Sequence, residues 1–235
     1  MRRLYAWLRR QPWLYDVEHD SLRAGYRVTA HGALRVATRA LAWRYRVVQP
    51  RWLRHGPIRL NLGSGRKRLD GWVNVDLNPF ADQEIWLDIR DRWPVPAEGA
   101  DAVYIRHCLE HFTEAEALRI LRQSRKVLAP GRPIRIGVPS LEVALQKYRE
   151  NDFEFMPWVL QHRSPGRRFY RYMMDNDNHR VMFDYGYLQE LLELAGFSDI
   201  TRSAGGRSVT IEPALLDPRD CEEDVATLYV EARKP

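Results

Sequence analysis

The stretch Ile58–Asp76, IRLNLGSGRKRLDGWVNVD, decides how the rest of the chain is read. Ile58, Leu60 and Leu62 lie among β-formers with no helical period, which predicts a short buried strand. Gly63-Ser64-Gly65 breaks it, and a second apolar run, Trp72-Val73-Asn74-Val75, ends on Asp76. A strand stopping in a Gly-x-Gly turn brings bare backbone against a ligand, where a Cβ would hold that ligand off. An acid at the tip of the neighbouring strand stands where a ribose diol would be gripped. The stretch therefore reads as a nucleoside-cofactor site. NAD and ATP fit it poorly. The dinucleotide fingerprint wants a third glycine where Arg68 stands and an acid about 20 residues on, whereas Asp76 follows Gly65 by 11. No Gly-Lys-Ser/Thr phosphate loop is present.

Downstream, Glu84–Asp88 predicts a third strand ending in an acid, and Asp101–Ile105 a fourth, followed by His107-Cys108-Leu109-Glu110-His111. Thr113 and Glu116 have the spacing of a capping box, with Phe112 placed to staple onto Ala117. Ala117, Leu118, Leu121 and Leu128 then form the apolar stripe of a helix that Pro130-Gly131 ends. Pro133–Val138 reads as a fifth strand, Leu141–Glu150 and Leu188–Ala195 as helices, and Phe197–Arg202 and Val225–Glu231 as the last strands. Parallel crossovers of this kind build a doubly wound α/β sheet. Its carboxyl ends, carrying Gly63, Asp76, Asp88 and His107, should form one crevice.

These motifs, in this order, resemble the class I S-adenosylmethionine-dependent methyltransferases over roughly residues 57–235. LNLGSG is similar to their glycine motif, NVDLN to their ribose-binding strand end, and WLDI to their adenine-binding strand end. DAVYIRHCLEHF resembles the strand and loop lining their active site, and LAPGRPIRIGVPS their post-helix turn and fifth strand. The resemblance implies a Rossmann-like, mostly parallel sheet with an antiparallel last strand, and S-adenosyl-L-methionine as cofactor. It also implies cofactor contacts from Asn61, Gly63, Ser64, Gly65, Asp76, Leu77, Asp88, Ile89 and His107. The closeness of LNLGSG to GWVNVD resembles a subset associated with polysaccharide and cell-surface glycan synthesis. That implies O-methylation of a sugar hydroxyl in a surface glycan or its precursor. Two departures stand out. Asn61 replaces the usual acid two residues before the first glycine, and the Gly65–Trp72 link leaves little room for the usual first crossover helix.

A carbohydrate hydroxyl is a poor nucleophile until deprotonated, so a general base is expected within hydrogen-bond reach. His111 is favoured, with His179 and His107 as the other catalytic candidates and Glu110 beside them, because imidazole titrates in the right range. Near a helix N-terminus, Glu110 and His111 could instead only cap or brace the loop. His107-x-x-Glu110-His111 also offers three possible metal ligands in five residues, with His179 as a fourth. It is similar to the Glu-x-x-Glu-His cluster of small-RNA 2′-O-methyltransferases, but His107 replaces the first Glu and no second His is adjacent. The sequence reading therefore assigns no metal. The rival readings of the whole are an RNA ribose methyltransferase and a silent cofactor-binding partner in glycan assembly.

The 235 residues suffice for one sizeable core plus an appendage. A hydrophobic content of 45% with eight Trp excludes a disordered chain. Cys108 and Cys221 form no metal or disulfide pattern, which predicts a reducing, cytoplasmic setting. No uncharged apolar run is long enough for an ordinary transmembrane helix. Charge is uneven: residues 1–55 carry +9 and the remainder −3. Residues 1–56 read as a basic helical extension, with Leu34, Ala37, Leu41, Tyr45 and Val48 on one stripe and Arg35, Arg39 and Arg46 largely opposite. A cap packed on the catalytic domain, a peripheral contact with anionic membrane, and a nucleic-acid arm are its readings in falling order. Residues 151–180, rich in aromatics and arginines, exceed a minimal methyltransferase and read as an insertion that binds the glycan or small-molecule acceptor.

Overall fold

A computed structural model describes residues 33, 36–38, 57–66, 68–78, 83–154, 159–175, 178–218 and 226–235. Seven strands form one sheet: β1 (Arg59–Leu62), β2 (Val73–Asp76), β3 (Ile85–Trp86), β4 (Ala102–Arg106), β5 (Pro133–Pro139), β6 (Ser198–Ser203) and β7 (Thr227–Arg233). Their order is β3-β2-β1-β4-β5-β7-β6. All pairs are parallel except those of β7, which runs antiparallel to both β5 and β6. The expected doubly wound, mostly parallel sheet with its last strand reversed is thus what the chain forms. Strand order turns back between β1 and β4, and at such a reversal the loops diverge and open a crevice at the carboxyl edge.

Alternation along the strands separates two faces. Leu60 and Leu62, Val73 and Val75, Val103 and Ile105, and Ile134, Ile136 and Val138 all enter the main core. That face is covered by α1 (Glu114–Val127) and, after α2 (Leu141–Glu150) and α3 (Pro165–Met174), by α4 (Tyr185–Ala195). Thr113 caps α1 in a complete capping box with Glu116, as the sequence predicts. Ala117, Ile120 and Leu121 are buried beneath it, whereas Leu118 sits half-buried at the margin and Leu128 lies just past the helix end. Asp184 starts α4 by accepting the Tyr187 N–H at 2.8 Å, so this helix begins three residues before the predicted Leu188.

The opposite face is more polar. Leu69, Trp72, Ala102, Tyr104, Ile211 and Leu216 make a smaller cluster there, and the Trp72 indole donates to the Leu215 carbonyl at 2.8 Å. Among the described residues the β1–β2, β2–β3 and β3–β4 links contain no helix. β3 keeps only two paired residues, leaving Glu84 and Asp88 outside it. Asn74 stands in for the missing crossover helix. Its side chain accepts the Leu69 N–H at 2.9 Å and donates to the carbonyls of Leu69 and Trp72, each at 3.2 Å, which ties the 63–72 link to the sheet.

The insertion carries α3, whose Tyr172 and Met173 join Ala144, Phe153 and Val159 in a third small core. Ala33 and Val36–Thr38 are helical, but the remaining residues of 1–56, and with them the basic-extension reading, lie outside the described residues. The same holds for Cys221 and for Val225, predicted to open the last strand. Among the described residues no helix is long and apolar enough to cross a membrane.

Candidate active site

Sheet order brings the ends of β1, β2 and β4 side by side, and with them most of the residues singled out in the sequence. Gly63 and Gly65 both take left-handed φ values, +69° and +59°, which glycine adopts without strain. Their surroundings differ. A Cβ on Gly63 would overlap the Cys108 side chain, so bare backbone is needed there for packing between the β1 and β4 loops. A Cβ on Gly65 would meet nothing within 4 Å among the described residues.

Asp76 Oδ2 accepts the Gly65 N–H and Oδ1 accepts the Asn78 N–H, both at 2.7 Å. These bonds fix the carboxylate and still leave each oxygen a lone pair for a ligand hydroxyl. Leu77, one residue on, accepts the Trp86 indole N–H on its carbonyl at 2.8 Å. Ser64 is buried, and its hydroxyl has no hydrogen-bond partner among the described residues.

Three of the expected cofactor contacts are engaged within the protein. Asn61 donates its amide to Asn74 Oδ1 at 2.9 Å across the sheet. Asp88, 2% exposed, is gripped by the Arg90 guanidinium at 2.6–3.1 Å, and Arg90 also reaches Glu116 at 3.1 Å. The Asp88 contact, ahead of the burial that opposes it, holds the Arg90 pKa well above its usual range. Ile89 is a core residue whose carbonyl accepts the Trp93 indole N–H at 2.8 Å.

Beyond β4 the chain turns through His107, whose φ of +46° is uncommon for a side chain with a Cβ. Its N–H donates to the Gly137 carbonyl at 2.8 Å, and its Nε2 lies 3.1 Å from Thr227 Oγ1. Nδ1 faces Glu110 Oε1 at 3.5 Å. Glu110 is 1% exposed, and neither carboxylate oxygen has a hydrogen-bond partner meeting ordinary geometric criteria among the described residues. Burial pushes its pKa up, but contact with His107 and the charges of His107 and His111 outweigh this and leave it below the usual carboxylate value.

The same Glu110 Oε1 lies 3.9 Å from His179 Nε2, and the His179 and His111 rings meet edge to face at 4.9 Å. The strand-like return 178–181 makes this possible, because Arg180 and Val181 both donate to the Glu110 carbonyl. His179 Nδ1 contacts the Met173 carbonyl at 2.6 Å and His111 Nδ1 the Asn178 carbonyl at 3.2 Å. Since a carbonyl only accepts, each Nδ1 carries a proton, which places the lone pair of the neutral tautomer on Nε2. Burial lowers the His179 pKa against the opposing pull of Glu110, which favours that neutral form. Sequence reasoning named the three histidines and Glu110. It missed Thr227, Asn74 and the Met173 and Asn178 carbonyls that orient them; only Asn74, a polar residue inside an apolar strand, left a visible signal.

No family model matches the chain, and no curated protein does. Solved structures similar to it include S-adenosylmethionine-dependent methyltransferases. One from Archaeoglobus fulgidus is 16% identical, with 84% of this chain and 94% of that one covered and a TM-score of 0.48. A possible histamine N-methyltransferase from Thermotoga maritima is 14% identical over 89% and 97%, also at 0.48. Phosphoethanolamine N-methyltransferase 2 of Haemonchus contortus, solved with S-adenosyl-L-methionine, is 13% identical; the match covers 77% of this chain but 49% of that one, at 0.47. At such values the fold rests on the chain's own strand order, and the chemistry on its own residues.

Proposed function

We propose that this chain binds S-adenosyl-L-methionine and transfers its methyl group to a hydroxyl of a sugar within a surface glycan or its precursor. The observation that carries the reading is the row at the carboxyl edge: the open Gly65 turn, the fixed Asp76 carboxylate and the orphaned Ser64 hydroxyl, with the imidazole cluster at the next strand end. The residues present fit this cofactor. Asp76 has lone pairs for a ribose diol, the space above Gly65 admits close approach, and Ser64 has a hydroxyl to give to a polar ligand atom. The bound cofactor supplies an electrophilic methyl on a sulfonium.

On the acceptor side, a cofactor held by Asp76, Ser64 and the Gly65 turn would offer its methyl carbon for in-line displacement by the sugar oxygen, with the sulfur as leaving group. Alignment supplies much of the acceleration. The hydroxyl proton passes to the cluster, where His111, exposed and with its lone pair on Nε2, is the base that meets the acceptor. A sugar is favoured over a small amine by two half-exposed tyrosines, Tyr170 on the arginine-rich α3 and Tyr148 on α2, whose ring meets Phe169 of α3. Such amphipathic rings suit the apolar faces and hydroxyl edges of a pyranose.

Titration calorimetry with the cofactor and with its demethylated product tests the donor half; saturable binding is expected. Transfer of labelled methyl onto a panel of glycans and lipid-linked sugar precursors tests the acceptor half. Methylated RNA in place of methylated sugar would overturn the acceptor, and binding without any transfer would overturn the enzyme.

A further inference from the structure

We propose that Glu110, His111 and His179 form a binding site for a divalent cation of the zinc and manganese type, with His107 as a positioning residue beside Glu110. One carboxylate oxygen and one ring nitrogen from each histidine already lie within 4.8 Å of one another. What singles the group out is the state of its donors. Each Nδ1 is taken by a backbone carbonyl, so the electron pair left on each ring is that of Nε2. His179 Nε2 faces Glu110 Oε1 at 3.9 Å, beyond hydrogen-bond reach. Glu110, 1% exposed, has no hydrogen bond of ordinary geometry to either oxygen among the described residues. A carboxylate enclosed in this way is costly unless a cation completes it.

The surroundings match those of a metal ligand set. Ligating histidines characteristically donate their second nitrogen to a carbonyl, and ligating carboxylates are held by an outer partner. Here Met173 and Asn178 supply the carbonyls, and His107, steadied by Thr227 at 3.1 Å, faces Glu110 Oε1 at 3.5 Å. Two imidazoles and one carboxylate suit zinc, manganese or iron better than calcium or magnesium, which prefer oxygen alone. Tetrahedral ligation would draw the donors to about 3.3 Å apart. Exposed His111 can supply most of that movement. With three protein ligands the ion keeps a position for a water or a hydroxyl.

Binding is independent of the methyl-transfer reading; the ion's role rests on it. With a cation seated, His111 is a ligand and no longer the base. An acceptor hydroxyl bound to the ion then gives its proton to water more readily, because the metal withdraws electron density from the oxygen.

The test is titration calorimetry of the full chain, freed of metal by chelator, with Zn²⁺ and separately with Mn²⁺, no cofactor present. One site per chain is expected for at least one of the two ions. Glu110→Gln and His111→Ala should each abolish saturable binding, and His107→Ala should weaken it about 10–100-fold. His111→Ala guards against a folding artefact, since its side chain is exposed, and circular dichroism checks each variant. No saturable binding by the unaltered chain, or equal binding by folded His111→Ala and Glu110→Gln, overturns the site. Cofactor titrated into the metal-free protein reports on the methyltransferase reading separately.

Discussion

Asp76 is the residue on which the donor reading turns, and its two backbone contacts sharpen the expectation. Because Gly65 and Asn78 both donate to it at 2.7 Å, Asp76→Ala removes a ligand contact and also loosens the turn that shapes the pocket. Cofactor affinity should fall by about 1.5–3 kcal/mol, the scale of a charge-assisted hydrogen bond. Unchanged affinity by calorimetry would remove the ribose assignment. Cys108 gives a second expectation. Burial first, then the charges of Glu110, Asp76 and Asp88, push its thiol well above the usual range. The folded state therefore keeps the proton more tightly than the unfolded chain. Its contribution to stability is complete below the unfolded thiol pKa of about 8.5 and declines as pH rises beyond it. Urea unfolding at about pH 7.5 and about pH 9.5 should show a smaller loss at the higher pH in Cys108→Ala than in the parent. Equal losses would show that the thiol is not protected.

At the scale of elements, local signals were legible and their replacements were not. Thr113 and Glu116 announced a capping box because both partners lie within one turn. The Asp184 cap went unread, since Asp-Tyr-Gly-Tyr has the composition of a turn and only packing of Leu188 and Leu191 in the core decides otherwise. Glycines 63 and 65 were legible as a turn, but Gly63 answers to Cys108, 45 residues away in the sequence and adjacent only through β1–β4 pairing. His107, Glu110 and His111 were visible as a group. That His179 closes on Glu110 depends on the 178–181 return, which carries no sequence signature. The short β1–β2 link announced a missing helix without saying what replaces it. Asn74 does so, and Asn74→Ala would strand the Leu69 N–H and the Asn61 amide in a buried site. A loss of about 2–3 kcal/mol in chemical denaturation is expected, at 1–3 kcal/mol per unpaired group with partial relaxation. A change under about 0.5 kcal/mol, typical of surface substitutions, would mean the link is held by other contacts.

Across the whole molecule the two sheet faces are stabilised by different physics, and the polar one carries the sharper prediction. Arg135 on β5 and Glu231 on β7 are both fully buried and meet at 2.5 Å. The guanidinium also donates to Ser203 Oγ at 2.9 Å and to the carbonyls of Ala204 and Arg207 at 2.8 and 3.0 Å, above the Tyr229 ring. Glu231 accepts from Thr210 Oγ1 at 2.8 Å and from Ser203 Oγ at 3.2 Å. One ion pair thus joins β5, β6, β7 and the 204–210 loop. A buried pair of this kind contributes little net stability relative to apolar residues of the same size, because removing two charges from water nearly cancels their attraction. Breaking it is another matter. Arg135→Met leaves Glu231 charged and enclosed, so unfolding free energy should drop by about 3–5 kcal/mol. Arg135→Met with Glu231→Leu removes both charges and should recover most of that loss, giving a coupling energy of at least about 3 kcal/mol in the double-mutant cycle. Urea denaturation of the parent, the two single variants and the double variant measures all four corners. Additive losses would show that the two side chains act separately, and the polar face would then owe its closure to the Trp72–Tyr104 cluster.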